Sequence, residues 1–475
     1  MKQHLLPYMA GRLHGLLNPL HPSLLILPLY LLCTVGCRHV VREDVKPAIS
    51  TTPSYSMERA MEEEKLQARW WLSFDDQLLS NYIQQSLDEN LSLREGYSRL
   101  KQAQLSSSQA YSRRYPALDG GIGLDSSWQE NGEQRSSERA EVKLAWEVDL
   151  WGKLSSASQS ADFEALAAGD ELQGMALRLS TEVAETYYRL IEESLLRALL
   201  KEQVTANETS LNLIKLRFAN GAASLVDVYQ QEELLVSVKA QLPLSEARLI
   251  TLYNSFHLLL GQAPNSTPLP LGNSLPDIPS FPDIGVPADL LLDRPDLRQM
   301  QRELVAADYR VAKAVAERLP TIKVGSSAAL VSGDLLFSLF ADALATIFDW
   351  GYKKNEVEKQ RAMVEEKLAS YSQRYLLAIK EVEDSLWQER QHDQLLATLD
   401  RQLQIAKATL HESRNRYIQG VTDYLPVLAA LVSRQNLERN ILQRRRERLS
   451  YRLLLYRALG TSLLNLEPHS AGSKS

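Results

Sequence analysis

The chain has 475 residues, 44% of them hydrophobic and 24% charged, with 53 Lys and Arg against 59 Asp and Glu for a formal net charge of −6. That composition excludes a polytopic helical membrane protein and a largely disordered chain, and without a basic excess a nucleic-acid binder is disfavoured. Two Cys and eight His leave no disulfide scaffold and no cysteine-based zinc module.

Residues 1–22 carry Lys2 and Arg12 and no acid. Residues 24–36, LLILPLYLLCTVG, are uncharged and mostly apolar, and Cys37 follows. A basic leader, a short apolar run and small residues before a cut define a secretory signal peptide over 1–36. The run is too short for a membrane span. Thr34-Val35-Gly36-Cys37 resembles a bacterial lipobox, with Thr34 where Leu is usual, which makes Cys37 the expected lipid attachment site at the head of an extended segment, 37–75. A plain signal peptide with an incidental Cys is the alternative. Cleavage also removes Cys33, so one thiol remains and no intramolecular disulfide forms.

The rest of the chain repeats itself. Leu93, Arg94, Leu100, Ala103, Ala110, Arg114 and Pro116 stand 204 residues before Leu297, Arg298, Leu304, Ala307, Ala314, Arg318 and Pro320. Trp151-Gly152, Glu182-Val183, Arg217, Gly221 and Leu260-Gly261 stand 199 before Trp350-Gly351, Glu381-Val382, Arg416, Gly420 and Leu459-Gly460. A fixed period marks a tandem duplication with internal pseudo-symmetry. The change of offset makes the second copy shorter between Pro320 and Trp350. Repeat 1 covers 76–261 and repeat 2 covers 294–461. A proline-rich extended linker, 262–293, joins them, and 462–475 is a tail.

Within each repeat a helix comes first, at 76–112 and 294–317, stopped by Pro116 and Pro320. A β-hairpin follows, at about 117–149 and 321–349. In the first copy Leu118, Gly120, Ile122 and Leu124 alternate with Asp119, Gly121, Gly123 and Asp125. Beyond the polar turn 129–139, Val142, Leu144, Trp146 and Val148 alternate with Lys143, Ala145, Glu147 and Asp149. This period of two, over about ten residues each side, is the length of a tilted membrane strand. In the second copy Ile322 and Val324 alternate with Lys323 and Gly325, while 335–348 reads equally well as strand or helix.

Long helical hairpins at 153–260 and 352–459 complete the repeats. Leu172, Ala176, Leu179, Val183, Tyr187 and Leu190, like Leu368, Tyr371, Tyr375, Ala378, Val382 and Leu386, step by three and four and form coiled-coil seams. Sixty residues of helix run about 90 Å. Gly221 and Gly420 mark the reversals, Gly261 and Gly460 the ends of the return helices at 223–259 and 422–458. Pro243 is expected to kink the first return helix.

The chain shows no catalytic set. There is no His-Glu-x-x-His, Gly120-Gly121-Ile122-Gly123 lies in a strand pattern, and Gly152-Lys153 lacks the upstream Gly of a phosphate loop. His392 and His411 read as solvated, and no metal or cofactor is expected. Trp128, Trp146, Trp151 and Trp350 are either core or an aromatic girdle at a bilayer surface, with the girdle favoured for Trp128 and Trp146. Four strands cannot close a membrane barrel, which needs at least eight, so spanning strands require an oligomer. Three copies give twelve strands.

The motifs Arg69-Trp70-Trp71-x-x-Phe74-x-Asp76, Trp146-Glu147-Val148-Asp149-Leu150-Trp151-Gly152-Lys153, Gly285 to Asp296 (GVPADLLLDRPD), Arg217-Phe218-x-x-Gly221 and Arg416-Tyr417-x-x-Gly420 resemble those of the TolC-like outer-membrane efflux proteins, in their NodT-type lipoprotein branch. The resemblance covers about 66–461. It implies a mixed α and β fold, a tandem-repeat protomer of a trimeric channel whose 12-stranded outer-membrane β-barrel continues into a periplasmic α-helical coiled-coil barrel. It implies a passive exit duct for small molecules, not an enzyme, working with a periplasmic adaptor (membrane fusion) protein and an inner-membrane efflux transporter, and anchored by lipid to the outer membrane. A duct for type I protein secretion is the alternative within the class. A structural periplasmic coiled-coil lipoprotein is the alternative outside it. Under the resemblance the hairpin tips, with Arg217, Gly221, Asp227, Arg416, Gly420, Asp423 and Tyr424, are the adaptor-docking and gating region. Three copies of Asp423 and Tyr424 would constrict the bore and set a cation preference; alternatively Asp423 caps the returning helix. Two departures from the family stand out: the short second β-hairpin, and Ala429 where many relatives carry Asp.

Overall fold

A computed structural model describes residues 39–43, 46–47, 49, 54–55, 69–128, 134–264, 267–282 and 286–464. The signal peptide, Cys37, Gly285 and most of the tail lie outside the described residues. The chain divides into a sheet unit, drawn from 112–157 and 308–361 with the segment up to Arg42, and a helical unit formed by the remainder.

In the sheet unit β1 (Ala117–Trp128), β2 (Gln134–Val148), β3 (Thr321–Val331) and β4 (Asp334–Leu344) pair antiparallel in the order β1-β2-β3-β4. The ambiguous stretch after residue 335 is therefore strand as far as Leu344. Its turn explains why: Ser332 and Gly333 both hold positive φ, at 51° and 97°, the backbone of a two-residue hairpin turn whose twist matches the strands. The second hairpin is shorter, 11 residues a side against 12 and 15 in the first. β1 and β4 are left with an open edge each.

In the helical unit the single helix expected over 76–112 is two helices, α1 (Gln77–Glu89) and α2 (Leu91–Ser112). Asn90 is the cause. Its backbone is extended at ψ 127°, and its Oδ1 accepts from the backbone N–H groups of Ser92 at 2.9 Å and Leu93 at 3.2 Å. That side chain satisfies donors a new helix start leaves unpaired. The two long helices are α3 (Lys153–Ala219) and, after α4 to α7, α8 (Tyr352–Ile418), 67 residues each and so about 100 Å long. The first return strand of the coil is interrupted at Ala240, giving α4 (Leu225–Lys239) and α5 (Gln241–Leu259). Pro243 lacks an N–H and its ring crowds the carbonyl four residues back, that of Lys239. Position 442 of the second copy is Leu, and there α9 (Leu425–Leu459) runs unbroken. The linker ends in α6 (Leu290–Asp293), and α7 (Pro295–Ala316) is the first helix of repeat 2.

The seam residues meet as the spacing requires: Leu172, Ala176, Val183, Tyr187 and Leu190 sit in one core, and Tyr371, Tyr375, Ala378, Val382 and Leu386 in its counterpart. Trp70, Trp71 and Phe74 plug the first, Trp70 stacking on Tyr456 at 5.4 Å. In the second, Arg294 is buried and fully partnered: Nη1 donates to Glu381 at 2.7 Å and to the Ala458 carbonyl at 2.9 Å, while Nε and Nη2 grip Asp296. Burial alone would raise the Asp296 carboxyl, but Arg294 and Arg374 hold it down at about 2. A depressed carboxyl stabilises the fold above its unfolded pKa and gives that up only as pH falls toward about 2.

Candidate functional site

Register sorts the sheet into two chemically different faces. Residues directly opposite share a face, so Leu118, Leu144, Ser326 and Leu339 form one row, Ile122, Ala140, Leu330 and Leu335 another. This face is apolar over most of its area and bare: Ile122 is 90% exposed and Leu339 89%. The opposite face carries Asp119, Lys143 and Ser327 in one row, Glu147, Lys323 and Asp342 in another, and Gly121, Glu141 and Ala329 in a third, on the far side of the Lys143 row from Glu147. An exposed apolar face backed by a charged one is the pattern of a barrel wall between lipid and water. Trp128 and Trp146 both lie on the apolar face, at opposite ends of the β1–β2 ladder. Trp128 and Trp350 are 73% and 88% exposed, which rules out a core role for either. Trp151 instead donates to the Pro320 carbonyl at 2.7 Å.

The two tips reverse by the same device. Gly221 and Gly420 adopt φ of 72° and 74°. Ala222 N–H donates to the Arg217 carbonyl at 2.8 Å, and Val421 N–H to that of Arg416 at 2.9 Å, the six-to-one bond that closes a helix end on a left-handed glycine. Beyond the turns the copies diverge. Ser224 and Asp227 exchange side-chain and backbone hydrogen bonds at 3.1 Å in a capping box, so Asp227 is committed to starting α4. The start of α9 has no side-chain cap; its first residue is preceded by Tyr424, and Asp423 is exposed. The capping alternative for Asp423 therefore has no bond to support it.

Tyr424 needs correcting as a bore-lining group. Its ring is buried, 5.3 Å from that of Tyr417, and its hydroxyl donates to Gln231 Oε1. Burial pushes the phenol's pKa up, so it stays a donor. Arg217 lies over the Tyr417 ring at 4.7 Å and reaches the Tyr417 carbonyl at 3.4 Å, whereas Arg416 is exposed. The structure thus brings Arg217 and Tyr424 together through Tyr417, as a brace between the two hairpins, and leaves Asp423 and Arg416 facing outward.

A polar layer behind this brace was not anticipated. Asn207, Gln231 and Gln435 are wholly buried; Gln231 Nε2 donates to the Asn207 carbonyl at 3.1 Å and Asn207 Nδ2 to Gln435 Oε1 at 3.4 Å. The signal was amide side chains at positions where a coiled-coil seam expects aliphatics. His392 also departs from the solvated reading. It is half-buried, 4.7 Å from the Tyr451 ring, with Nε2 3.4 Å from Glu447. Among the described residues no cluster of His, Cys, Asp and Glu could hold a metal.

An antiparallel sheet that is apolar on one face and charged on the other, open at both edges, together with 67-residue helices in antiparallel hairpins, is the make-up of an outer-membrane channel protomer. Residues 82–262 and 286–461 match the model of the outer membrane efflux protein family, and the chain belongs to that family. It is 28% identical over 414 residues to the solvent efflux pump outer membrane protein SrpC of Pseudomonas putida, a match covering 82% of this chain and 86% of that one. It is 24% identical over 381 residues to nodulation protein T of Rhizobium leguminosarum bv. trifolii, covering 76% and 80%. Among solved structures the outer-membrane channel OprN superposes with a TM-score of 0.80 at 25% identity, over 88% of this chain and 99% of that one. The fold class is that of these outer-membrane channels, a mostly helical chain that contributes one four-stranded antiparallel sheet.

Proposed function

We propose that this protein is the outer-membrane exit duct of a tripartite efflux pump, passively conducting small molecules that an inner-membrane transporter delivers through a periplasmic adaptor. The observation that carries it is the two-faced sheet: a bare apolar face on one side and a charged face on the other is what a wall between lipid and a water-filled bore needs. SrpC, as the outer membrane component of a solvent efflux pump, favours small molecules over secreted proteins. The coiled-coil scaffold reading has no use for such a sheet. Reconstitution of the purified full chain in planar bilayers is expected to give stepwise ion conductance; an electrically silent protein would defeat the proposal.

The open edges of the sheet support the reading independently. β1 and β4 leave a row of unpaired backbone groups at each edge, and each such group costs several kcal/mol in lipid. Pairing β4 with β1 of a neighbour removes every edge once three copies close. Light scattering in detergent is expected to give three protomer masses, and a monomer mass would reject the closure.

Cys37 is proposed to carry the lipid. Cells grown with a clickable fatty acid should label the wild type and not Cys37→Ser; equal labelling of both would sink the assignment. The barrel itself holds the protein in the membrane, so Cys37→Ser is expected to keep part of its activity.

A further inference from the structure

The charged face of the sheet carries one pattern that a water-filled wall does not require. On β4 the residues on that face alternate polar and large apolar: Asp334, Leu336, Ser338, Phe340, Asp342 and Leu344. On β1, β2 and β3 the same face holds nothing apolar larger than Val331 among the described residues. The immediate partners of two of the apolar positions are small. Phe340 stands opposite Gly325, followed by Ala145 and Ala117, and Leu336 stands opposite Ala329. The Phe340 ring lies down over Gly325, so closely that a Cβ there would come within 2.4 Å of it. Lys143 Nζ approaches the ring centroid at 5.7 Å. The ring is therefore held by the sheet and half-buried, while Leu336 and Leu344 are 56% and 78% exposed.

The geometry points to an apolar contact track on the duct wall, formed by Leu336, Phe340 and Leu344, that takes aromatic and other apolar groups of solutes in transit. It rests on the exit-duct reading and gives that duct a substrate class. At four-residue spacing the contacts stand about 13 Å apart along the strand, repeated on each of three protomers. The neighbour that pairs with β4 does not cover them, because β1 presents only Ala117, Asp119, Gly121, Gly123 and Asp125 on this face. Contact on one side only removes little apolar area from water, at about 25 cal/mol per Å². Residence at each step is therefore brief, as conduction requires.

The test uses the reconstituted full-length trimer and two cations of equal charge, benzyltrimethylammonium and tetramethylammonium. The benzyl compound is expected to interrupt the potassium current at lower concentration than the methyl compound. In Phe340→Ser with Leu336→Ser that advantage should fall roughly three- to tenfold, the worth of one or two ring contacts, with potassium conductance alone undiminished. Phe340→Leu should keep most of it. Equal block by both cations in the wild type, or an unchanged advantage in the double variant, overturns the track. If the double variant fails to assemble, Phe340→Ser alone and the wild-type comparison still decide. A protein that conducts but shows no aromatic preference loses the track and keeps the duct; one that never conducts loses the duct.

Discussion

Arg452→Ala is expected to cost the helical unit about 3–5 kcal/mol, the usual consequence of stranding one partner of a buried ion pair. Arg452 and Glu389 are each 1% exposed, and two bonds join them, Nη2 to Oε1 at 2.6 Å and Nε to Oε2 at 3.0 Å. Nη1 reaches the carbonyls of Pro279 and Ser280 at 2.6 and 2.9 Å, and the guanidinium covers the Phe281 ring at 4.5 Å. One side chain thus fastens the inter-repeat linker to α8 and α9. Burial pushes the Glu389 carboxyl up even with Arg452 opposing it. Without the arginine it rises further, and a group whose folded pKa is raised loses stability as pH rises through that value. The deficit of Arg452→Ala should therefore be larger at pH 8 than at pH 5 when melting is followed by helical circular dichroism. The positions 199 residues earlier are Leu190 and Tyr253, both buried, so the first repeat fills the same place without charge. Glu389→Leu with Arg452→Tyr should recover much of the loss, since a packed apolar pair often equals a buried ionic one. A loss independent of pH, with no recovery in the pair, would mean that Arg452 acts only by filling space.

Much of this architecture is legible in the residues because it is periodic. The three-and-four spacing from Leu172 to Leu190 puts those side chains into one core, and the alternation from Leu118 to Leu124 puts them on one face. What escapes is non-periodic or partner-dependent. The break at Asn90 depends on one side chain folding back on its own helix start, and nothing in the apolar pattern changes there. The strand over Asp334–Leu344 is hidden because both of its faces carry apolar residues, which blurs a period of two. At the tips the sequence marks the reversals through Gly221 and Gly420, yet cannot say which way Tyr424 turns. That depends on Gln231, 193 residues away, and on Tyr417 in the neighbouring hairpin arm.

Gly261→Ala is expected to damage the fold far more than Gly221→Ala, although both positions hold the same left-handed backbone, at φ 75° and 72°. The conformational penalty for a Cβ there is common to both, about 1–2 kcal/mol. The surroundings are not. Nothing lies within 4 Å of a Cβ at Gly221, whereas one at Gly261 would meet the Glu89 carbonyl oxygen at 2.5 Å and its carbon at 2.9 Å. Backbone cannot swing aside as a side chain does, so overpacking adds about 1–3 kcal/mol. The second repeat rebuilds this contact: a Cβ at Gly460 would meet Arg294 Cα at 2.8 Å and the Asp293 carbonyl at 3.0 Å. The residues that follow the two carbonyls play one part in different chemistry. Asn90 Nδ2 donates to the Leu259 carbonyl at 2.9 Å, and Arg294 Nη1 to that of Ala458 at 2.9 Å, each the carbonyl two residues before the glycine. The duplication has therefore kept a junction, glycine against backbone with a side chain locking the helix end, while letting the lock change from amide to guanidinium. Thermal melts of Gly221→Ala, Gly261→Ala and Gly460→Ala in detergent check this. The first should lie close to wild type and the other two well below it, and equal losses at all three would show that backbone conformation, not the junction, sets the requirement for glycine.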